Sequence, residues 1–346
     1  MTDHNGLIQV DVERFVMQTR GFGEDCRLVR KAITGDGAIE IRDSRIPEEP
    51  HDVLQEMVLR YFRQPTWAKL QDERLGAKHD VGWTPPFTEW TKFHDVLEVM
   101  AERGLNVRPH AVKHKDPKER FMWRIGDDPD DTAFAALHAP QVVPAAFVKD
   151  WKRKIDVYFP HAQRAIFTML EMLAVGYHLE LNFFTKLLEH GPHLFAPTGV
   201  NLAQLGEPGT VHAALHRDIG FITAHGRSNA PGLFLWKRNG ERIPARIQKN
   251  CILAQVAQQL AHVMGGQGLD GMHEVVAVKE AQPVIERMRA AGEEPWRVST
   301  TFFFHMASDC MIAPLGPFRT DEALAKYPPI RVGDQIMYEL GITGVG

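Results

Sequence analysis

Two histidines, a carboxylate, a cation and a hydroxyl fall in one ordered series between Leu215 and Ser299. The series runs His216-Arg217-Asp218, then His273, then Arg297-Val298-Ser299. Two imidazoles and one carboxylate suit Fe(II) and leave positions on the metal open for a co-substrate and dioxygen. A cation followed two residues later by a hydroxyl suits a carboxylate-bearing co-substrate. Residues i and i+2 of a strand share a face, so His216 and Asp218 can reach one metal while Arg217 points away. The same geometry lets Arg297 and Ser299 hold one carboxylate. His273 lies 57 residues beyond His216 and completes the set only if the sheet curls back on itself.

Each piece alone is close to chance. With 17 histidines in the chain, roughly one His-x-Asp is expected from composition. A second one occurs at His114-Lys115-Asp116, and a second Arg-x-Ser at Arg42-Asp43-Ser44. Both read as decoys, because they sit in polar, irregular sequence without strand alternation. The later series lies in strand-like sequence.

Those strands begin where the hydrophobic period changes. Up to about Leu179 the pattern is mainly helical. Cys26–Thr34 is stopped by Gly35-Asp36-Gly37, and Ala38–Arg42 reads as a short strand. A helix follows with Val53, Leu54, Met57, Val58, Tyr61 and Phe62 on one face, ended by Pro65. Lys92–Arg103 is helical and Pro109–Asp131 loop-like. Phe147–Leu179 reads as a long helix that Pro160 should kink or divide, and Asn182–Glu189 as a short one. From about Gly199 the period becomes 2. Strands are expected at Val211–Leu215, Phe221–His225, Gly232–Trp236, Arg242–Ile247, Cys251–Val256, His273–Val278 and Val298–Met306, separated by turn signals. Glu280–Gly292 reads as an inserted helix and Val332–Leu340 as a final amphipathic stretch. Short strands at this spacing suggest a double-sheet jelly roll. The expected class is α+β, a jelly-roll core with a mainly helical N-terminal region packed around it. The expected division is residues 1–145 and 146–346.

Composition excludes several alternatives. The chain has 346 residues, 44% of them hydrophobic, enough for a large core. A net charge of −4 gives no basic footprint for nucleic acid. No apolar run approaches membrane-spanning length, and Met1–Arg20 lacks a signal-peptide core. Three scattered cysteines, Cys26, Cys251 and Cys310, read as reduced thiols, so a cytoplasmic setting is expected.

With these residues in view, the chain resembles the 2-oxoglutarate- and Fe(II)-dependent dioxygenases related to isopenicillin N synthase. "GDGAIEIRDSRIP", "VLRYFRQPTWAKLQ" and "GWTPPFTEW" look like that family's N-terminal region. "LHRDIGFITAHGRSNAPGLFLW", "AQVAQQLAHVMGG", "GMHEVVAV" and "RVSTTFFFH" look like its catalytic core. The resemblance implies a double-stranded β-helix with His216, Asp218 and His273 on iron, and Arg297 and Ser299 on the distal carboxylate of 2-oxoglutarate. It implies O2 as oxidant and release of succinate and CO2 as a substrate is hydroxylated, desaturated or cyclised. Asp218 as a third protein ligand favours these outcomes over halogenation. The 24 residues from His273 to Arg297 exceed the family's usual interval, which the helix at 280–292 accounts for. The Asn-x-Tyr strand common in the family has only Asn201-Leu202-Ala203 as its counterpart, making Asn201 a candidate co-substrate contact without the tyrosine.

Three other readings compete. "HRDIG" is similar to a kinase catalytic loop, but Thr223 stands where that loop needs Asn, and no Asp-Phe-Gly segment follows. An iron oxidase that uses O2 without 2-oxoglutarate fits the same residues, as does a non-catalytic metabolite-binding barrel. Trp83, Phe87 and Trp90 are candidates for the barrel mouth, and Phe221, His225 and Arg227 for facing the substrate. Histidines and charges there suit an amino acid or small polar acid.

Overall fold

A computed structural model describes residues 2–4, 6–77, 80–90, 93–104, 109–110 and 114–342. Among the described residues, two sheets carry the architecture. The larger has eleven strands, ten of them in one path and Gly82–Thr84 beside Glu119–Ile125. Its centre is built from Ala38–Arg42, Cys251–Val256, Ile222–His225, Thr301–Phe304, His193–Phe195 and Glu119–Ile125 in spatial order. Thr198–Asn201 and Trp296–Ser299 close its far edge. The smaller sheet has four strands in the order Arg242–Pro244, Leu233–Trp236, Met272–Val276 and Val211–His216. Residues of both sheets line one cavity of about 730 Å³, as in a jelly roll.

The helix Trp151–Gly176 packs across the larger sheet with Trp151, Ile155, Ile166, Met169, Leu170 and Leu173 fully buried. Each such side chain contributes about 1.5–3 kcal/mol, which fixes the sheet from behind while its other face lines the cavity. Pro160 neither ends nor divides this helix. It sits on the exposed side, where water can satisfy the carbonyl left without an N–H. The helix Glu48–Phe62 packs beside it through Leu54, Met57, Val58, Tyr61 and Phe62.

Strand Cys251–Val256 forms with the expected bounds, and most other expected elements form within a few residues of theirs. Two expectations fail. Pro109–Asp131 reads as loop, but Glu119–Ile125 is a strand inside the larger sheet, paired with Gly82–Thr84, His193–Phe195 and Thr198–Asn201. Its alternation is hidden because charged residues occupy a buried, ion-paired face. Val298–Met306 reads as one strand but is two, Trp296–Ser299 and Thr301–Phe304. At Thr300 the chain changes partner, from Thr198–Asn201 to Ile222–His225 and His193–Phe195.

Candidate metal and co-substrate site

His216 ends its strand, and the antiparallel register places it directly opposite His273. Their rings lie 4.2 Å apart. Asp218 follows just beyond the strand end, with its two carboxylate oxygens 3.8 Å from His216 Nε2 and 3.8 Å from His273 Nε2. One ligand atom from each of the three lies within 4.8 Å of the others. The return of the chain to His216 is made by direct pairing of the two strands within one sheet.

Local hydrogen bonds prepare His216 and Asp218. His216 Nδ1–H donates to the Ala214 carbonyl at 2.7 Å, which leaves Nε2 with its lone pair toward Asp218. The Thr223 hydroxyl donates to Asp218 Oδ2 at 2.6 Å. Burial drives His273 well below the usual histidine range, with His216 adding to it, so its imidazole is neutral at pH 7. Burial alone would raise the Asp218 carboxyl; the imidazoles of His273, His216 and His225 and the Thr223 hydroxyl outweigh it and hold the group below the ordinary carboxylate range. A two-nitrogen, one-carboxylate donor set facing a cavity fits Fe(II).

Arg297 and Ser299 lie on the cavity-lining face of their strand, opposite Val200 and Thr198. Arg297 is 3% exposed, and burial lowers its guanidinium to about 10, still a cation at neutral pH. Its Nε donates to the Pro231 carbonyl at 3.3 Å, and it forms no ion pair with a carboxylate among the described residues. A buried cation without a counter-ion, opening on a cavity, fits an anionic ligand. Ser299 Oγ is 2.7 Å from Thr198 Oγ1, making a paired hydroxyl two residues along.

The turn Ser228–Gly232 clamps this strand. Asn229 accepts the Val298 N–H at 2.7 Å and donates to the Trp296 carbonyl at 2.9 Å, so one side chain brackets Arg297. Gly232 has φ of 139°, and a Cβ there would meet the Val276 carbonyl at 2.8 Å and Arg297 Nε at 3.4 Å. Only glycine lets the backbone pass so close.

Asn201 does not join the site. It is one residue out of phase with Thr198 and Val200, and its amide is engaged elsewhere, accepting from Ala203 N and donating to Glu294. It caps the short helix Leu202–Leu205. Arg217 pairs with Asp270, and Arg227 with Glu48 and Asp52 at 2.7 Å. Trp83 and Phe221 are core residues, and Phe87 lies outside the cavity lining. His225 and Trp90 do line the cavity. His225 stands edge-on to His273 at 5.3 Å and donates through Nε2 to Gln255 at 3.1 Å.

Sequence reasoning missed Asp80, Glu89, Asp116, Lys118 and Arg120, which line the same cavity. Asp116, Lys118 and Arg120 recur with period 2, a strand signal masked by their charge. The supposed decoy at His114-Lys115-Asp116 thus holds a cavity residue, though not a ligand.

No family model matches the chain. A curated relative, validamycin A dioxygenase of Streptomyces hygroscopicus subsp. limoneus, is 25% identical over 285 residues, 80% of this chain and 70% of that protein. This similarity supports the 2-oxoglutarate/Fe(II)-dependent dioxygenases as the chain's family. The fold of this dioxygenase is shared with a 2OG-Fe(II) oxygenase family protein of Caulobacter crescentus, at TM-score 0.74 and 21% identity over 98% of this chain and 99% of that one. It is shared also with a full-length Neurospora crassa protein solved in complex with alpha-KG and thymine, at TM-score 0.76 and 20% identity over 97% of both chains. No described helix of the dioxygenase is long and apolar enough to cross a membrane.

Proposed function

We propose that His216, Asp218 and His273 hold Fe(II), that Arg297 and Ser299 hold the distal carboxylate of 2-oxoglutarate, and that the remaining cavity takes a small polar substrate. Fe(II), 2-oxoglutarate and O2 together supply the oxidising power, with succinate and CO2 released as the substrate is oxidised. The residues contribute position and charge. His216 Nε2 is aimed by the Ala214 carbonyl, and Asp218 is fixed by Thr223. Arg297 answers a carboxylate in a site from which water is largely excluded, where a charge-assisted pair is strongest. With three protein ligands the metal has no position reserved for halide, which favours hydroxylation, desaturation or ring closure.

The observation that carries the reading is the buried, unpaired Arg297 on the same cavity as the triad. The relatives support a small-molecule substrate: one is named for validamycin A, and the Neurospora crassa protein was solved with thymine. Anaerobic titration of 2-oxoglutarate into the Fe(II)-loaded protein tests the assignment. A weak visible absorption band that saturates at one equivalent is expected. Iron binding with no such band would replace this reading with an oxidase that uses O2 alone.

A further inference from the structure

One wall of the cavity carries charges that neither metal nor co-substrate uses. Gly82 pairs with Met122 and Thr84 with Arg120, and Asp80, two residues before Gly82, lines the cavity together with Met122 and Arg120. Glu89 pairs with Arg120 and, at 3.1 Å, with Lys118. Lys118 lies 2.5 Å from Asp116. Two cations thus answer two carboxylates. Asp80 is a third carboxylate on this wall, and it accepts no hydrogen bond and forms no ion pair among the described residues. The cations that act on it, Arg120 and Arg124, are engaged with Glu89 and Asp128. Trp90, 48% exposed, lines the same cavity.

We propose that this wall recognises a protonated amine on the substrate, with Asp80 as its counter-ion and the Trp90 ring available to the cation. The proposal rests on the dioxygenase reading and narrows it to a substrate class. A ligand closing over the wall strips water from Asp80, and an unpaired buried carboxylate is costly. An apolar ligand leaves that charge unanswered, and a carboxylate ligand adds to it. An ammonium supplies opposite charge, three donors and a cation for an aromatic face. Burial would raise Glu89, but Arg120 and Lys118 hold it at about 2, while Asp116 and Glu89 raise Lys118 against burial. Those two groups therefore keep their charges, and Asp80, whose carboxyl burial raises to about 7 against the pull of Arg120 and Arg124, is the group that a bound ammonium would hold ionised.

The test is ligand-observed NMR on the full chain, with Zn(II) and 2-oxoglutarate present so that Arg297 is occupied. The probes are size-matched fragment amines, alcohols and carboxylates. Amines should outrank both other classes, weaken at least tenfold in Asp80→Asn, and recover in Asp80→Glu. Alcohols or carboxylates binding as well as amines would overturn the proposal, as would amine binding unchanged in Asp80→Asn. Should Asp80→Asn fail to fold by its melting curve, the wild-type ranking decides alone. Loss of 2-oxoglutarate binding, read separately, would sink the co-substrate assignment and leave the amine ranking interpretable.

Discussion

Asp116 and Ala214 are joined across 98 residues of sequence by one hydrogen bond, from the Ala214 N–H to Asp116 Oδ1 at 3.1 Å. The Ala214 carbonyl in turn receives His216 Nδ1–H at 2.7 Å, and Asp116 Oδ2 is 2.5 Å from Lys118. The charged wall of the cavity is thus tied through one residue, Ala214, to the orientation of a proposed metal ligand.

Asp116→Ala should therefore weaken Fe(II) binding about 10- to 100-fold, the range found when the groups that orient a ligating histidine are removed. Anaerobic Fe(II) titration measures it, with a melting curve to show that the variant is folded. Unchanged affinity would mean that Ala214 is held in place without Asp116.

His216→Ala and Asp218→Ala should each abolish stoichiometric Fe(II) binding. In the wild type, metal at 100 times Kd should stabilise the fold by about 2.7 kcal/mol, visible as a rise in Tm. Neither variant should show that rise, and a variant that retains it would remove its residue from the triad.

Arg297→Gln should raise the 2-oxoglutarate concentration needed for half-maximal binding by about 30- to 150-fold, from the loss of about 2–3 kcal/mol in charge-assisted hydrogen bonds. Iron affinity should stay as in wild type, since Arg297 lies outside the triad. Equal co-substrate binding in the two proteins would contradict the assignment.

Acid should destabilise the fold before the carboxylates titrate. Burial lowers His193 to about 3, with His305 adding to it, and lowers His305 to about 4. Unfolding restores an ordinary value near 6.5, so the unfolded chain binds the extra protons and stability falls as pH drops below that value toward 4. By pH 5 the loss is about 2 kcal/mol per histidine. Urea unfolding at pH 7 and pH 5 checks this, and His193→Gln should flatten the dependence. Equal stability at the two pH values would show that these histidines charge without cost.

Sequence alone determined the chemistry-bearing series. Period-2 alternation marks the strands that carry His216 and His273, with Asp218 just past the end of the first, and antiparallel pairing brings the two histidines opposite each other. A strand's i, i+2 geometry is local, and that locality placed Arg297 and Ser299 on one face. It failed for Asn201, since a single residue of register moves a side chain across the sheet, and register is settled by pairing with Trp296–Ser299 and not by the segment itself. It failed also for 119–125, where charge on a buried face hid a strand. Those charges are tolerable only because Glu89, Asp116, Lys118 and Arg120 neutralise one another across separate segments, a condition that exists only after the chain has folded. The proposed metal-binding series was therefore written in the sequence, whereas the charged wall of the cavity, Asp80 included, was decided by tertiary pairing.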